Sequence, residues 1–184
     1  MHGTGHPSDW VRRWAPPLPA QATVLDLACG SGRHLLWLAA QGHRPTGVDR
    51  DEAAVAPLRH HADVMVADIE NGPWPLAGRR FQGVVVTNYL WRPLLPVIVD
   101  SVDDGGVLIY ETFADGQQTL GKPSRPDFLL QPGELLRACS DLHVVAYEHG
   151  LLGGPERFVQ RIAAVRRPPA AARHALAGSA SGAR

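Results

Sequence analysis

Residues 24–34 read VLDLACGSGRH, a short apolar run that turns through two glycines into a helix-like pattern. The run 24–27 predicts a buried strand, and Gly30-Ser31-Gly32 predicts the tight loop that follows it. Beyond the loop, Leu35, Leu38 and Ala39 recur at helical spacing and Gly42 closes the helix. Glycines in such a loop let backbone approach a ligand, and the helix start offers N–H groups without intrahelical partners. The G-x-G-x-x-G spacing of a dinucleotide site is absent, which counts against NAD. The loop taken alone is compatible with any nucleotide-binding α/β protein.

The pattern repeats outward. Strands are expected at 44–48, 64–67, 84–87 and 107–112, with helices at 51–60, 94–102 and 133–139. Two last strands, 142–148 and 158–165, follow without a helix between them. β/α alternation ending in a hairpin implies a parallel sheet with one late antiparallel insertion. Residues 1–15 form an N-terminal cover segment, with Ser8 as N-cap of a short helix at 9–14; Trp10 and Trp14 either cover the mouth of a site or pack on the core. The domain proper spans 16–166. Residues 167–184 are rich in Pro, Ala, Gly and Ser and are expected to be a disordered tail.

At 184 residues, with 18 basic and 18 acidic side chains, the chain fits one neutral domain. No global field gathers nucleic acid, although the last third is mildly basic. Two cysteines, Cys29 and Cys139, are too few for a disulfide framework, and Cys29 reads as a small packing residue. No apolar run approaches the roughly 18 residues of a membrane span. The histidines lack metal-ligand spacing, so no metal is expected. A cytoplasmic enzyme, monomeric or homodimeric, is the expectation.

Acidic residues stand at the ends of successive strands, where open α/β sheets bind ligands. Asp49 follows the second strand and can accept both ribose hydroxyls of an adenosine, or else cap the next helix. Asp68 follows the third strand and can face an adenine amino group while Ile69 covers the ring; a solvated loop carboxylate is the alternative.

Together, residues 24–34, Gly47-Val48-Asp49-Arg50, Ala67-Asp68-Ile69-Glu70 and Gly105-Gly106-Val107-Leu108 resemble the ordered motifs of class I S-adenosylmethionine-dependent methyltransferases. The resemblance covers about residues 8–165. It implies a Rossmann-like α/β fold, a seven-stranded mostly parallel sheet in the order 3-2-1-4-5-7-6 with helices on both faces. It implies S-adenosylmethionine as cofactor, with Asp26, Ala28, Gly30 and Gly32 around the methionine moiety and Asp49 with Arg50 at the ribose. Asp68 and Ile69 go to the adenine and Asn88 to the sulfonium. Ala28 replaces the commoner glycine. Asn88-Tyr89 lacks the prolines of an Asn-Pro-Pro-Tyr motif, so methylation of a base amino group is not supported. Compactness, the Gly-Ser-Gly-Arg-His turn, residues 88–93 (NYLWRP) and 110–113 (YETF) resemble bacterial methyltransferases grouped with tellurite-resistance proteins of the TehB type.

Methyl transfer is an in-line displacement, so an enzyme must align the acceptor, exclude water and, for some acceptors, remove a proton. A soft thiolate or chalcogen acceptor needs little base assistance. Glu111, Tyr89 and Asn88 are the candidate catalytic residues, Glu111 being the candidate base unless it pairs with Arg92 or Arg125. The long segment 116–130 (GQQTLGKPSRPDFLL) suggests a lid. Arg92, Lys122 and Arg125 would meet an anionic small-molecule substrate. An RNA-modifying methyltransferase and a non-catalytic cofactor-binding domain are the competing readings.

Overall fold

The computed structural model describes residues 5–167, so all but the first residue of the expected tail lies outside it. Seven strands form one sheet in the order β3-β2-β1-β4-β5-β7-β6. They are β1 (Thr23–Leu27), β2 (Arg44–Asp49), β3 (Asp63–Val66), β4 (Phe81–Thr87), β5 (Val102–Phe113), β6 (His143–Leu152) and β7 (Arg157–Val165). The first five pair in parallel, and β7 inserts antiparallel between β5 and β6. This is the order that the resemblance implied, and the late antiparallel strand is the one the sequence pattern implied.

The helices are α1 (Asp9–Trp14), α2 (Arg33–Ala40), α3 (Glu52–Val55), α4 (Leu95–Asp100) and α5 (Glu134–Ala138). The helix expected over 51–60 is shorter. Its second half, Ala56–His60, tightens into a 3-10 turn carrying Pro57, where proline removes an N–H donor. Likewise a 3-10 turn at Arg92–Leu94 precedes α4. No helix joins β3 to β4. Among the described residues no helix is long and apolar enough to cross a membrane.

Strand alternation sorts the core into two layers. Leu25, Leu27, Val84, Val86, Leu108 and Tyr110 face one side, where Ile98 of α4 and Leu135 of α5 pack. Val24, Val85 and Ile109 face the other, against Leu38 of α2 and Trp10 and Trp14 of α1. Trp10 and Trp14 are 2% and 4% exposed, and the Trp10 indole N–H donates to the Ile162 carbonyl at 3.1 Å. They therefore pack on the core instead of covering a mouth. Ser8 caps α1 by accepting from the Trp10 N–H, as its position suggested.

Candidate functional site

A cleft of about 1050 Å³ opens at the carboxyl ends of β1, β2 and β4. Its floor is the turn after β1. Ala28 and Gly30 both have positive φ, 53° and 52°, which folds the loop back and brings its backbone to the surface of the cleft. For Ala28 this left-handed conformation costs about 1–2 kcal/mol relative to the right-handed one. Asp49, at the end of β2, holds the turn: the Gly30 N–H donates to its Oδ2 at 2.7 Å and the Asp51 N–H to its Oδ1 at 2.9 Å. Asp49 still lines the cleft, beside Arg50 and, further along, Ile69. Asn88, also left-handed at φ 54°, lies at the end of β4 and lines the wall with Tyr89.

Three expected cofactor residues do not line the cleft. Asp26 is 1% exposed and accepts from the Leu35 N–H at 3.0 Å, so it caps α2 from beneath the loop. Desolvation pushes its carboxyl up to about 7. Gly32 is the N-cap of α2 at φ 77°, and a Cβ there would lie 2.6 Å from Leu58 side-chain atoms; it shapes the turn without lining the cleft. Asp68 is exposed and closes its own turn, accepting from the N–H groups of Glu70 and Asn71 and from the Asn71 amide. Those bonds, the Asn71 amide first, hold its carboxyl below the usual range. The neighbouring Ile69 and Glu70 line the cleft instead.

Two expected reaction-side residues are corrected. Glu111 is 1% exposed and does not reach the cleft. Strand alternation turns it to the α1 side, where its register partner is Arg161. Oε1 accepts from the Ser8 hydroxyl at 3.1 Å and lies 3.5 Å from Arg157, while Oε2 lies 3.3 Å from Arg161. Its partners are neither Arg92 nor Arg125. Arg92 lies outside the cleft, with its guanidinium bound to Glu134 at 2.7 Å and to the carbonyls of Asp127 and Leu129. It fastens the 116–130 segment to α5.

That segment does form a wall. Lys122, Arg125 and Phe128 line the cleft opposite the β1 loop, joined by Phe113. Its neck is closed where the Leu130 N–H donates to the Phe113 carbonyl at 3.0 Å. Gly116, read as a flex point, is packed: at φ 107°, a Cβ would meet the Phe158 ring at 2.9 Å. Gly121, at φ 148°, has open space around it.

The family model described as a methyltransferase domain matches residues 24–104, from β1 into β5. That match and the sheet order are both similar to those of class I methyltransferases. TehB from Haemophilus influenzae shares its fold with a TM-score of 0.69 at 21% identity, over 89% of this chain and 63% of that one. A TehB-like SAM-dependent methyltransferase from Corynebacterium glutamicum gives a TM-score of 0.64 at 19% identity, over 85% and 86% of the two chains. The thiopurine S-methyltransferase of Pseudomonas fluorescens is 39% identical over 62 residues, 33% of this chain and 29% of its own length. The chain thus spans under a third of the length of the curated relatives it matches.

The fold also places in the cleft residues that sequence reading passed over: Arg33, His34, Glu70, Thr87 and Phe113. His34 is 2% exposed; its Nε2 accepts from the Ser8 N–H at 3.1 Å and its Nδ1 lies 3.4 Å from the Thr87 hydroxyl. This fixes the proton on Nδ1, and burial pushes its pKa down to about 3. Burial, with Glu70 nearby, pushes the Tyr89 phenol upward. Desolvation likewise raises the Cys29 thiol, in keeping with a packing role. Arg33 and His34 stand in the quoted motif, so their place at the helix start was the available signal.

Proposed function

We propose that the protein transfers a methyl group from S-adenosylmethionine to a small-molecule acceptor that arrives as a thiolate or similar chalcogen-like anion. The carrying observation is the asymmetry of the cleft. One end has the donor set an adenosyl group needs: the exposed loop backbone at Ala28 and Gly30, the Asp49 carboxylate and the apolar Ile69. The other has cations and aromatic rings, Lys122, Arg125, Phe113 and Phe128.

The residues fit the cofactor. Asp49 would accept from the ribose hydroxyls, Arg50 would flank it, Ile69 would cover the adenine and Asn88 would stand near the sulfur. When bound, S-adenosylmethionine supplies a methyl group activated on a positively charged sulfur. The chain's own residues contribute orientation and exclusion of water. The 116–130 wall encloses the acceptor side, where Lys122 attracts an anion and Arg125 is held by Asp127.

The acceptor class is supported by three side chains near the reaction end that are not available as bases. The Nε2 lone pair of His34 is occupied by the Ser8 N–H. The Tyr89 phenol stays protonated because its pKa is raised, and Glu111 is sealed behind the wall in ion pairs. A hydroxyl or ammonium acceptor would need a proton removed, whereas a thiol ionises by itself near neutrality. The names of the curated relatives, thiopurine S-methyltransferases, support a sulfur acceptor.

The test supplies the protein with S-adenosylmethionine and two arenethiols of different acidity, following adenosylhomocysteine. The rate should rise with pH at each thiol's own ionisation. A common inflection for both thiols would reveal an enzymic base and overturn the acceptor reading. No cofactor binding in calorimetry would overturn the activity.

A further inference from the structure

We infer that Arg33 binds a carboxylate in the cleft, an assignment that rests on the methyl-transfer reading above. Arg33 is the first residue of α2, half-buried, with its side chain in the cleft wall. Among the described residues no carboxylate oxygen lies within 4.0 Å of its guanidinium, which makes no hydrogen bond to protein. Its nearby acids are already committed. Glu111 serves Ser8, Arg157 and Arg161. Asp26 lies beneath the loop and is bound to the Leu35 N–H. Arg33 thus shares the Glu111 carboxylate's surroundings with Arg157 and Arg161, which hold it, and Arg33 is the one that faces the cleft.

Burial and the neighbouring Arg157 both act against the positive charge of Arg33. Arginine does not shed its proton to escape that cost, so an incoming anion relieves it. The other cleft cations are placed differently. Arg125 is paired to Asp127 at 2.6 Å and stacked over Phe128, and Arg50 is exposed beside Asp49 and Asp51. A guanidinium presents a planar fork that matches a carboxylate with two parallel hydrogen bonds. Two carboxylates can reach this position: that of the cofactor's methionine moiety, or one carried by the acceptor.

The test uses Arg33→Met and Arg33→Lys, each first checked by thermal melting. Calorimetry compares adenosylhomocysteine with 5′-methylthioadenosine, which lacks the amino-acid part. Turnover compares 2-mercaptobenzoate with thiophenol. If the cofactor supplies the carboxylate, Arg33→Met weakens adenosylhomocysteine by about ten- to a hundred-fold and leaves methylthioadenosine unchanged. If the acceptor supplies it, cofactor affinity holds and KM for 2-mercaptobenzoate alone rises about ten-fold. Arg33→Lys, which keeps the charge but loses the fork, should fall between in either case. Equal losses for adenosylhomocysteine and methylthioadenosine would mark damage to the loop and overturn the assignment, as would unchanged affinities and thiol preference. A wild-type protein that fails to bind adenosylhomocysteine defeats the methyltransferase reading before Arg33 is touched.

Discussion

Replacing Glu111 separates a structural carboxylate from a catalytic one. The side chain is 2% exposed and its partners Arg157 and Arg161 are 26% and 15% exposed, so the cluster is shielded from water. Glu111→Ala leaves both guanidiniums short of a counter-charge and the Ser8 hydroxyl without its acceptor. Arg161 keeps Glu148, whereas Arg157, whose Nε is buried without a partner, keeps no other ion pair. Breaking a buried pair by removing one partner costs about 3–5 kcal/mol. For a chain of this size each kcal/mol lowers Tm by roughly 2–4 °C, so a fall of about 6–20 °C is expected. Glu111→Gln, which preserves shape and one acceptor oxygen, should lose less stability. It should also retain kcat within a few-fold at a temperature where it is fully folded. Thermal and urea unfolding give the first quantity, and adenosylhomocysteine formation by protein confirmed to be folded gives the second. A Glu111→Gln protein with wild-type Tm and kcat reduced a thousand-fold would refute the reasoning and restore Glu111 as the base.

Asp49→Ala should weaken adenosylhomocysteine binding by about ten-fold or more, since hydrogen bonds to a charged acceptor are worth about 1.5–3 kcal/mol; calorimetry reads it, and unchanged affinity removes Asp49 from the site. Asp26 has a folded pKa raised to about 7 by desolvation, above its unfolded value of about 3.9. Its contribution is therefore fully present below about pH 4 and lost as pH rises through about 7. Asp26→Asn should flatten the dependence of stability on pH across that window, and an unaltered slope in urea unfolding at pH 5 and 8 would contradict it. Replacing both Lys122 and Arg125 with alanine should slow turnover of an anionic acceptor while leaving cofactor affinity nearly intact. Arg125 is already neutralised by Asp127, so Lys122→Ala should carry most of the effect. A double variant with wild-type turnover would reduce the segment to a surface excursion.

Local sequence determined the strands, because apolar runs bounded by glycine and proline have few other stable outcomes. It also determined the β1 turn, where Gly30 and Gly32 adopt the left-handed backbone their lack of a Cβ permits. That Asp49 and Ile69 line the cleft was legible too, because residues at or just past the carboxyl ends of parallel strands face the ligand-binding edge of the sheet. Tertiary structure decided which charges are available. Arg33 was left unpaired, whereas Arg92 became a strut and Glu111 a buried anchor through partners 35 to 103 residues away. Strand period two turned Glu111 from the cleft toward α1, and β7, inserted antiparallel, brought Arg157 and Arg161 to it. Charge pairing acts through space over a few ångströms, so only the folded chain settles which carboxylates remain free for chemistry.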